Sequence, residues 1–286
     1  MKLIMMRGLP SSGKSTRARE IIEESGGGWV RINGDLLRQM LHFDKFSPMN
    51  EKTTQDTMKL LARTYLSDNL NVIIDNTNLG PKHEARWKGI AKECGASFSL
   101  CDLSYVDMYA CLNRNRERDN KVPDHVIINM ALQYKLVDLG SVVVCDLDGT
   151  LCDTTWRQHF VRKPKGEKDW DSFFAGIFED PIRQDIYDMV RRFTYDGYTI
   201  VFVSGRSEKY REVTLNWMAN HGINCPILLM RAENDRREDT VVKLDIMNTF
   251  LVKEDIVAVL DDRPSVIRMW REQGLNVIDV GNGEEF

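Results

Sequence analysis

The sequence has 286 residues and a net charge of −4, from 39 Lys and Arg against 43 Asp and Glu. At about 150 residues per domain this length fits roughly two domains, and 42% hydrophobic with 29% charged residues is ordinary for a globular chain. Nineteen glycines and eight prolines are too few for a collagenous or linker-rich chain, and no window approaches the roughly 20 apolar residues of a membrane span.

Residues 2–6 form an apolar run that reads as a buried strand. The run ends in a glycine loop, without the longer apolar core and cleavage site of a secretory signal, so a cytoplasmic protein is expected. The loop, Gly8-Leu9-Pro10-Ser11-Ser12-Gly13-Lys14-Ser15-Thr16, fits GxxxxGK[ST] and opens a helix over 14–24. Glycines let backbone N–H groups wrap a phosphate, Lys14 reaches the β- and γ-phosphates, and the Ser15 hydroxyl suits Mg²⁺. A strand at 29–32 leads to helices near 35–42 and 50–68. Asp35 and Arg38 share a face there, as a proton acceptor and an anion holder for the acceptor or as an exposed ion pair. Asp75 ends a strand at 71–75, either as a water-bridged Mg²⁺ contact or as part of a turn-forming Asp/Asn cluster. A helix at 81–94 and a strand at 97–103 follow, then helices at 106–118 and 124–138. Arg114 and Arg118, four apart, read as lid arginines over ATP or as a solvated basic helix.

A second series begins at a strand over 141–146, so a boundary is placed near Leu139–Gly140, giving domains 1–139 and 140–286. Asp146-Leu147-Asp148-Gly149-Thr150 follows that strand. Period-two spacing turns Asp146 and Asp148 to one side, where one carboxylate can attack phosphorus and the other can move protons, beside a hard cation. Ser204-Gly205-Arg206 ends a strand at 198–205, Lys243 lies on a helix at 239–251, and Asp261-Asp262-Arg263 ends a strand at 256–262. Helices at 181–195, 208–221 and 264–273 and strands at 226–230 and 276–280 complete the series. Ser204 suits a phosphate oxygen, Lys243 an aspartate–phosphate pair, and Asp261 with Asp262 a Mg²⁺ site. In residues 150–181 the run Trp156-Arg157-Gln158-His159, Lys163, Lys165, Lys168 and Trp170 reads as a small cap that stacks a base and holds phosphate, or as local packing with solvated lysines; Phe173 and Phe174 read as packing.

The halves differ in charge: residues 1–140 carry 20 basic and 17 acidic residues, and residues 141–286 carry 19 and 26. The net values of +3 and −7 suit a metal-dependent second half. The six cysteines, Cys94, Cys101, Cys111, Cys145, Cys152 and Cys225, contain no CxxC pair and read as reduced thiols. The alternation of strands and helices implies an α/β protein of two doubly wound parallel sheets.

The motifs GLPSSGKST, NGDLLRQ, DNTNL, RNRERDNKVP, DLDGT, SGR, VVK and LDDRPSVIRMW, in this order, resemble the bacteriophage polynucleotide 5′-kinase/3′-phosphatase family of the T-even type. The resemblance covers almost the whole chain. It implies a P-loop kinase followed by a phosphatase of the haloacid dehalogenase superfamily with a small cap. It implies transfer of the ATP γ-phosphoryl to a 5′-hydroxyl of RNA or DNA, with Asp35 as base, Lys14, Ser15 and Thr16 on ATP and Mg²⁺, Arg38 on the acceptor phosphate, and Arg114 and Arg118 as lid arginines. It implies removal of 3′-phosphates, extending to 2′,3′-cyclic phosphates, with Asp146 as nucleophile and Asp148 as acid–base. Ser204, Arg206, Arg231, Lys243, Asp261 and Asp262 complete that site, and Asp146, Asp148, Asp261 and Asp262 are its metal set. An RNA ligase as functional partner, a homotetramer, no membrane and the cytoplasm of a host cell are further implications. Residues 40–60 and 154–174 depart most from the family pattern. A small-molecule kinase fused to a small-molecule phosphatase, and a non-catalytic ATP-gated scaffold, are the competing readings.

Overall fold

The computed structural model describes every residue except Lys165, Cys225 and Phe286; the expectations for Lys165 and Cys225 lie outside the described residues. The chain divides into two units, Met1–Val137 and Asp138–Phe286.

In the first unit, β1 (Lys2–Arg7), β2 (Trp29–Ile32), β3 (Asn71–Ile74) and β4 (Ser97–Asp102) form a parallel sheet in the order β2-β3-β1-β4. Both faces of β1 are buried. Leu3 and Met5 pack with Trp87, Ile90 and Met58 on one face, and Ile4 and Met6 pack with Ala18 on the other. This is why β1 reads as a continuous apolar run instead of alternating. Helices α1 (Lys14–Glu24), α2 (Gly34–His42), α3 (Pro48–Ser67), α4 (Pro81–Glu93), α5 (Met108–Arg116) and α6 (Asp124–Gln133) follow in chain order. The sheet order reverses direction beside β1, and the ends of β1 and β3 there form the crevice where such sheets bind ligands.

Two helices stop more than one residue short of what the sequence pattern suggests. α6 ends at Gln133, not near 138, because Lys135 adopts a left-handed backbone and the Leu136 N–H bonds back to the Ala131 carbonyl. α5 ends at Arg116 with Glu117 as its cap, so Arg118 lies beyond the helix and does not share a helical face with Arg114. The Asn115 side chain ends it: Nδ2 donates to the Val122 carbonyl at 2.6 Å and Oδ1 accepts from the Val122 N–H at 3.1 Å, which turns the chain back on itself.

In the second unit, β5 (Val142–Cys145), β6 (Thr199–Ser207), β7 (Ile227–Arg231), β8 (Ile256–Asp261) and β9 (Val277–Asp279) form a parallel sheet in the order β7-β6-β5-β8-β9. The central β5 is buried on both faces. Cys145 pairs with Phe202 on one side and Leu260 on the other, so the residues just past β5 and β8 emerge together at one edge. Between β5 and β6 the chain forms a 3₁₀ turn at Thr155–Phe160, α7 (Trp170–Ala175), a second 3₁₀ turn at Ile177–Glu179, and α8 (Gln184–Tyr195). Helices α9 (Arg211–Asn220), α10 (Asp239–Phe250) and α11 (Pro264–Glu272) complete the unit. Cys94, Cys101, Cys111, Cys145 and Cys152 are free thiols. No described helix is long and apolar enough to cross a membrane.

Candidate active sites

The loop between β1 and α1 needs its glycines. Gly8 has φ 148°, and a Cβ there would lie 2.6 Å from Ser12 Oγ; Gly13 caps α1 with φ 98°. No side chain caps the helix, so its first N–H groups remain available to an anion. Lys14 is buried and donates to the carbonyls of Leu9 at 2.5 Å and Gly8 at 3.1 Å. Burial lowers its pKa to about 8. A phosphate would replace these carbonyl contacts with a full opposite charge. The Ser15 hydroxyl donates to Asp75 at 2.7 Å, and Arg31 Nε donates to the same Asp75 oxygen at 2.7 Å. Asp75 therefore faces the loop, not a turn of its own, and Arg31 is a cation that sequence reasoning missed.

Gly34 fixes the start of α2. Its N–H bonds the Asn76 side chain, and a Cβ there would meet Asn76 Nδ2 at 2.9 Å. Asn33 caps the helix by accepting from the Leu36 N–H, while its Nδ2 donates to the Asp75 carbonyl. These bonds tie Asp35 to the end of β3. Arg38 donates to Asp35 at 2.7 Å and to Glu51 at 2.9 and 3.1 Å, so the sequence pair is a real ion pair with a third, unanticipated member. Arg118 reaches the loop as well, with Nη1 donating to Ser11 Oγ at 3.1 Å. The resulting cleft, about 620 Å³, is lined by Gly13, Lys14, Ser15, Thr16, Asp35, Asp75, Arg114 and Arg118 among others.

The second unit gathers its charges at the end of β5. Lys243, on α10, is 2% exposed and lies 2.8 Å from Asp146, 2.9 Å from Asp261 and 3.7 Å from Asp239. Burial opposes its charge, but the three carboxylates outweigh that and hold its pKa well above the usual lysine range. Asp239 sits one turn before Lys243 on the same helix face, a spacing that could have revealed it; it also pairs with Arg231 and Arg263. Carboxylate oxygens of Asp146, Asp261 and Asp262 all lie within 4.8 Å of one another, a hard oxygen set that fits a divalent cation. Asp261 also accepts from Trp270 Nε1 and the Arg263 N–H, and Asp262 accepts from Thr150. Burial raises the Asp262 pKa to about 6.

Asp148, expected as a metal ligand, lies outside that set, its carboxylate held by two arginines. Arg206 grips it with two bonds of 2.7 and 2.8 Å, and Arg157 adds a third at 2.6 Å. Burial works against its charge, yet the two guanidiniums overcome it and hold the carboxyl well below the usual range. Arg157 is itself fully buried, forked onto Asp180 at 2.5 and 2.7 Å. The sequence left its role open. The same edge also contains Ser204, fully buried, whose Oγ accepts from the Arg206 N–H, and Arg231, whose Nε donates to the Gly205 carbonyl at 2.7 Å. Asp146, Asp148, Arg231, Asp239, Lys243, Asp262, Trp170, Phe173 and Phe174 line one pocket of about 60 Å³.

A family model described as the polynucleotide kinase PNKP phosphatase domain matches residues 140–285, and an AAA domain model matches residues 3–137. Among curated relatives, a putative bifunctional polynucleotide kinase/RNA ligase of Autographa californica nuclear polyhedrosis virus is 28% identical, across 95% of this chain and 41% of that protein. An L-seryl-tRNA(Sec) kinase of Methanococcus maripaludis is 32% identical, across 54% of this chain and 59% of its own length. The chain thus spans about half the length of the curated relatives it matches. A solved Pnkp1/Rnl/Hen1 RNA repair complex contains a chain that is 27% identical, with a TM-score of 0.42 over 99% of this chain and 96% of that one.

Proposed function

The chain belongs to the polynucleotide kinase PNKP phosphatase family, and on that premise we propose a two-site enzyme that heals nucleic-acid ends. Residues 1–139 transfer the γ-phosphoryl of ATP to a 5′-hydroxyl of RNA or DNA, and residues 140–286 remove a 3′-phosphate. The observation that carries this reading is that Lys14 and Asp35 line the same cleft, so phosphoryl donor and acceptor base share one space.

In the kinase site, Gly8, Gly13 and Thr16 shape the phosphate cradle, and Lys14 neutralises the donor phosphates. Asp35 takes the proton of the attacking 5′-hydroxyl as the oxygen bonds to the γ-phosphorus and ADP leaves. Arg38 is held by Glu51 in a fixed pose for the acceptor's neighbouring phosphate. Arg114 and Arg118 offset charge on the donor from the lid side.

In the phosphatase site, an oxygen of Asp146 attacks phosphorus and the bond to the 3′-oxygen breaks, leaving an aspartyl-phosphate that water then hydrolyses. Lys243 offsets charge on that pair. Asp148 protonates the leaving 3′-oxygen and later takes a proton from water. Its grip by Arg157 and Arg206 suits the second task; the first requires Arg206 to release it on taking up the phosphate, together with Ser204 and Arg231. Kinase and phosphatase domains of these kinds imply ATP and a divalent metal. We assign Mg²⁺, which Ser15 would hold in the first site and Asp146, Asp261 and Asp262 in the second, where it would supply charge to offset that of phosphate oxygens. The name of the viral relative supports an RNA ligase as the partner that uses the healed ends.

The test uses a 5′-hydroxyl, 3′-phosphate RNA oligonucleotide with ATP and Mg²⁺, following both ends. Lys14→Ala should lose only 5′ transfer, and Asp146→Ala only 3′ release. A wild type that modifies neither end yet consumes ATP with a small metabolite overturns the proposal.

A further inference from the structure

The pocket that contains Asp146 and Asp148 has an aromatic wall, and the steps above give that wall no task. Trp170, Phe173 and Phe174, all on α7, line it. Phe173 is buried and anchored: Arg157 lies 3.9 Å over its ring and donates to its carbonyl at 2.9 Å. The same guanidinium holds Asp148, so one buried cation fixes the aromatic wall to the proton-moving carboxylate. Trp170 differs from Phe173. It is 41% exposed, and its ring stacks at 24° on Phe174 with centroids 5.8 Å apart. Phe174 in turn leans on Tyr210 at 4.7 Å, and Tyr210 and Lys209 both bond Asp171. One side of the indole is therefore backed by a braced aromatic stack, while the indole itself stays accessible to solvent.

Trp170 lines the pocket and is 41% exposed, so it offers a planar, polarisable ring beside Asp146 and Asp148. The chemistry points to a planar π-system with negative charge beside it. Lys168 Nζ lies over the Trp170 ring, 5.6 Å from its centroid, a mobile cation that a stacking base would displace toward its own phosphate, and Arg231 and Arg263 line the same pocket. The pocket is narrow, about 60 Å³, so the bulk of any substrate stays at the mouth, where Trp170 is. Stacking on an aromatic platform is how single-stranded nucleic acids are gripped without sequence readout, because every base has a π-face.

We propose that Trp170 is the platform for the nucleobase of the 3′-terminal nucleotide, so that the site selects nucleoside 3′-phosphate ends over simple phosphate esters. This rests on the phosphatase reading above. Asp146 and Lys243 engage the phosphate, and Trp170 sets the direction from which the strand enters.

The experiment uses the full chain and two 3′-phosphorylated oligonucleotides, identical except that one has an abasic sugar at its 3′ end. Wild type should release phosphate from the abasic strand with kcat/KM lower by about tenfold, the scale of one stacking contact. Trp170→Ala should lose the same factor on the base-bearing strand, chiefly through KM, and lose nothing further on the abasic strand. Trp170→Phe should restore most of it. Equal loss on both strands in Trp170→Ala marks a structural role and overturns the inference, as does equal wild-type turnover of both strands. A wild type that hydrolyses p-nitrophenyl phosphate but neither strand overturns the phosphatase reading itself.

Discussion

Arg157 Nη2 lies 2.6 Å from Asp148 Oδ1, and the arginine has no solvent exposure. It is shared with Asp180 at 2.5 Å, so one cation serves a buried carboxylate and a partly buried one. Removing it takes the forked partner from Asp180 and leaves Asp148 to Arg206 alone, a loss of about 3–5 kcal/mol for a broken buried pair. Arg157→Lys keeps a charge but not the fork that bonds both partners. Arg157→Lys should lower 3′-phosphate release by about tenfold or more with 5′ transfer unchanged in the same preparation. Arg157→Ala should in addition lower the melting temperature of the second unit. Steady-state rates at both ends and a thermal melt check this.

Gly149 has φ 84°, and a Cβ there would lie 2.0 Å from Asp262 Oδ2. Gly149→Ala must therefore push Asp262 away from Asp146 and Asp261 as well as strain the backbone, about 1–3 kcal/mol for the strain alone. The expected outcome is loss of most 3′-phosphate release with kinase turnover retained. Full phosphatase activity in Gly149→Ala would show that the close approach is not required.

Asp262 is proposed as a cation ligand, and the test is a titration. Asp262→Asn should raise the Mg²⁺ concentration for half-maximal 3′-phosphate release by about tenfold or more, while the Mg²⁺ dependence of 5′ transfer does not move. A chelator should stop both reactions. If the two Mg²⁺ curves shift together, the assignment to the second site fails.

Asn115 is 2% exposed and holds the turn that carries Arg118. Asn115→Ala removes bonds worth about 1 kcal/mol each. The KM for ATP should rise about fivefold or more, because Arg118 loses its position beside Ser11, and 3′-phosphate release should stay as in the wild type. Arg118→Ala should show a similar rise, and the double variant should add little to either.

How much was legible varies from residue to residue. The P-loop, Asp35 and the Asp146–Asp148 pair could be read because their chemistry is written in contiguous residues after an apolar strand. Arg31, Glu51, Asn115 and Asp180 could not, since each acts through a partner at least seven positions away. Asp239 was within reach, four residues before Lys243 on one helix. The i,i+4 argument for Arg114 and Arg118 failed because it assumed a helix that Asn115 terminates.

The sequence by itself determined two parallel α/β sheets, the order of the two units and the loops that follow β1 and β5. Apolar period and glycine placement are local properties, and local sterics act on neighbours in the chain. Tertiary structure alone decided which cation each carboxylate meets. Asp146 and Asp148 are two residues apart and read alike, yet one faces Lys243 and the other is clamped by Arg157 and Arg206. Charge–charge energy falls with distance through space, not along the chain, so only the packing of β6, α10 and the Thr155–Phe160 turn around β5 could tell the two apart.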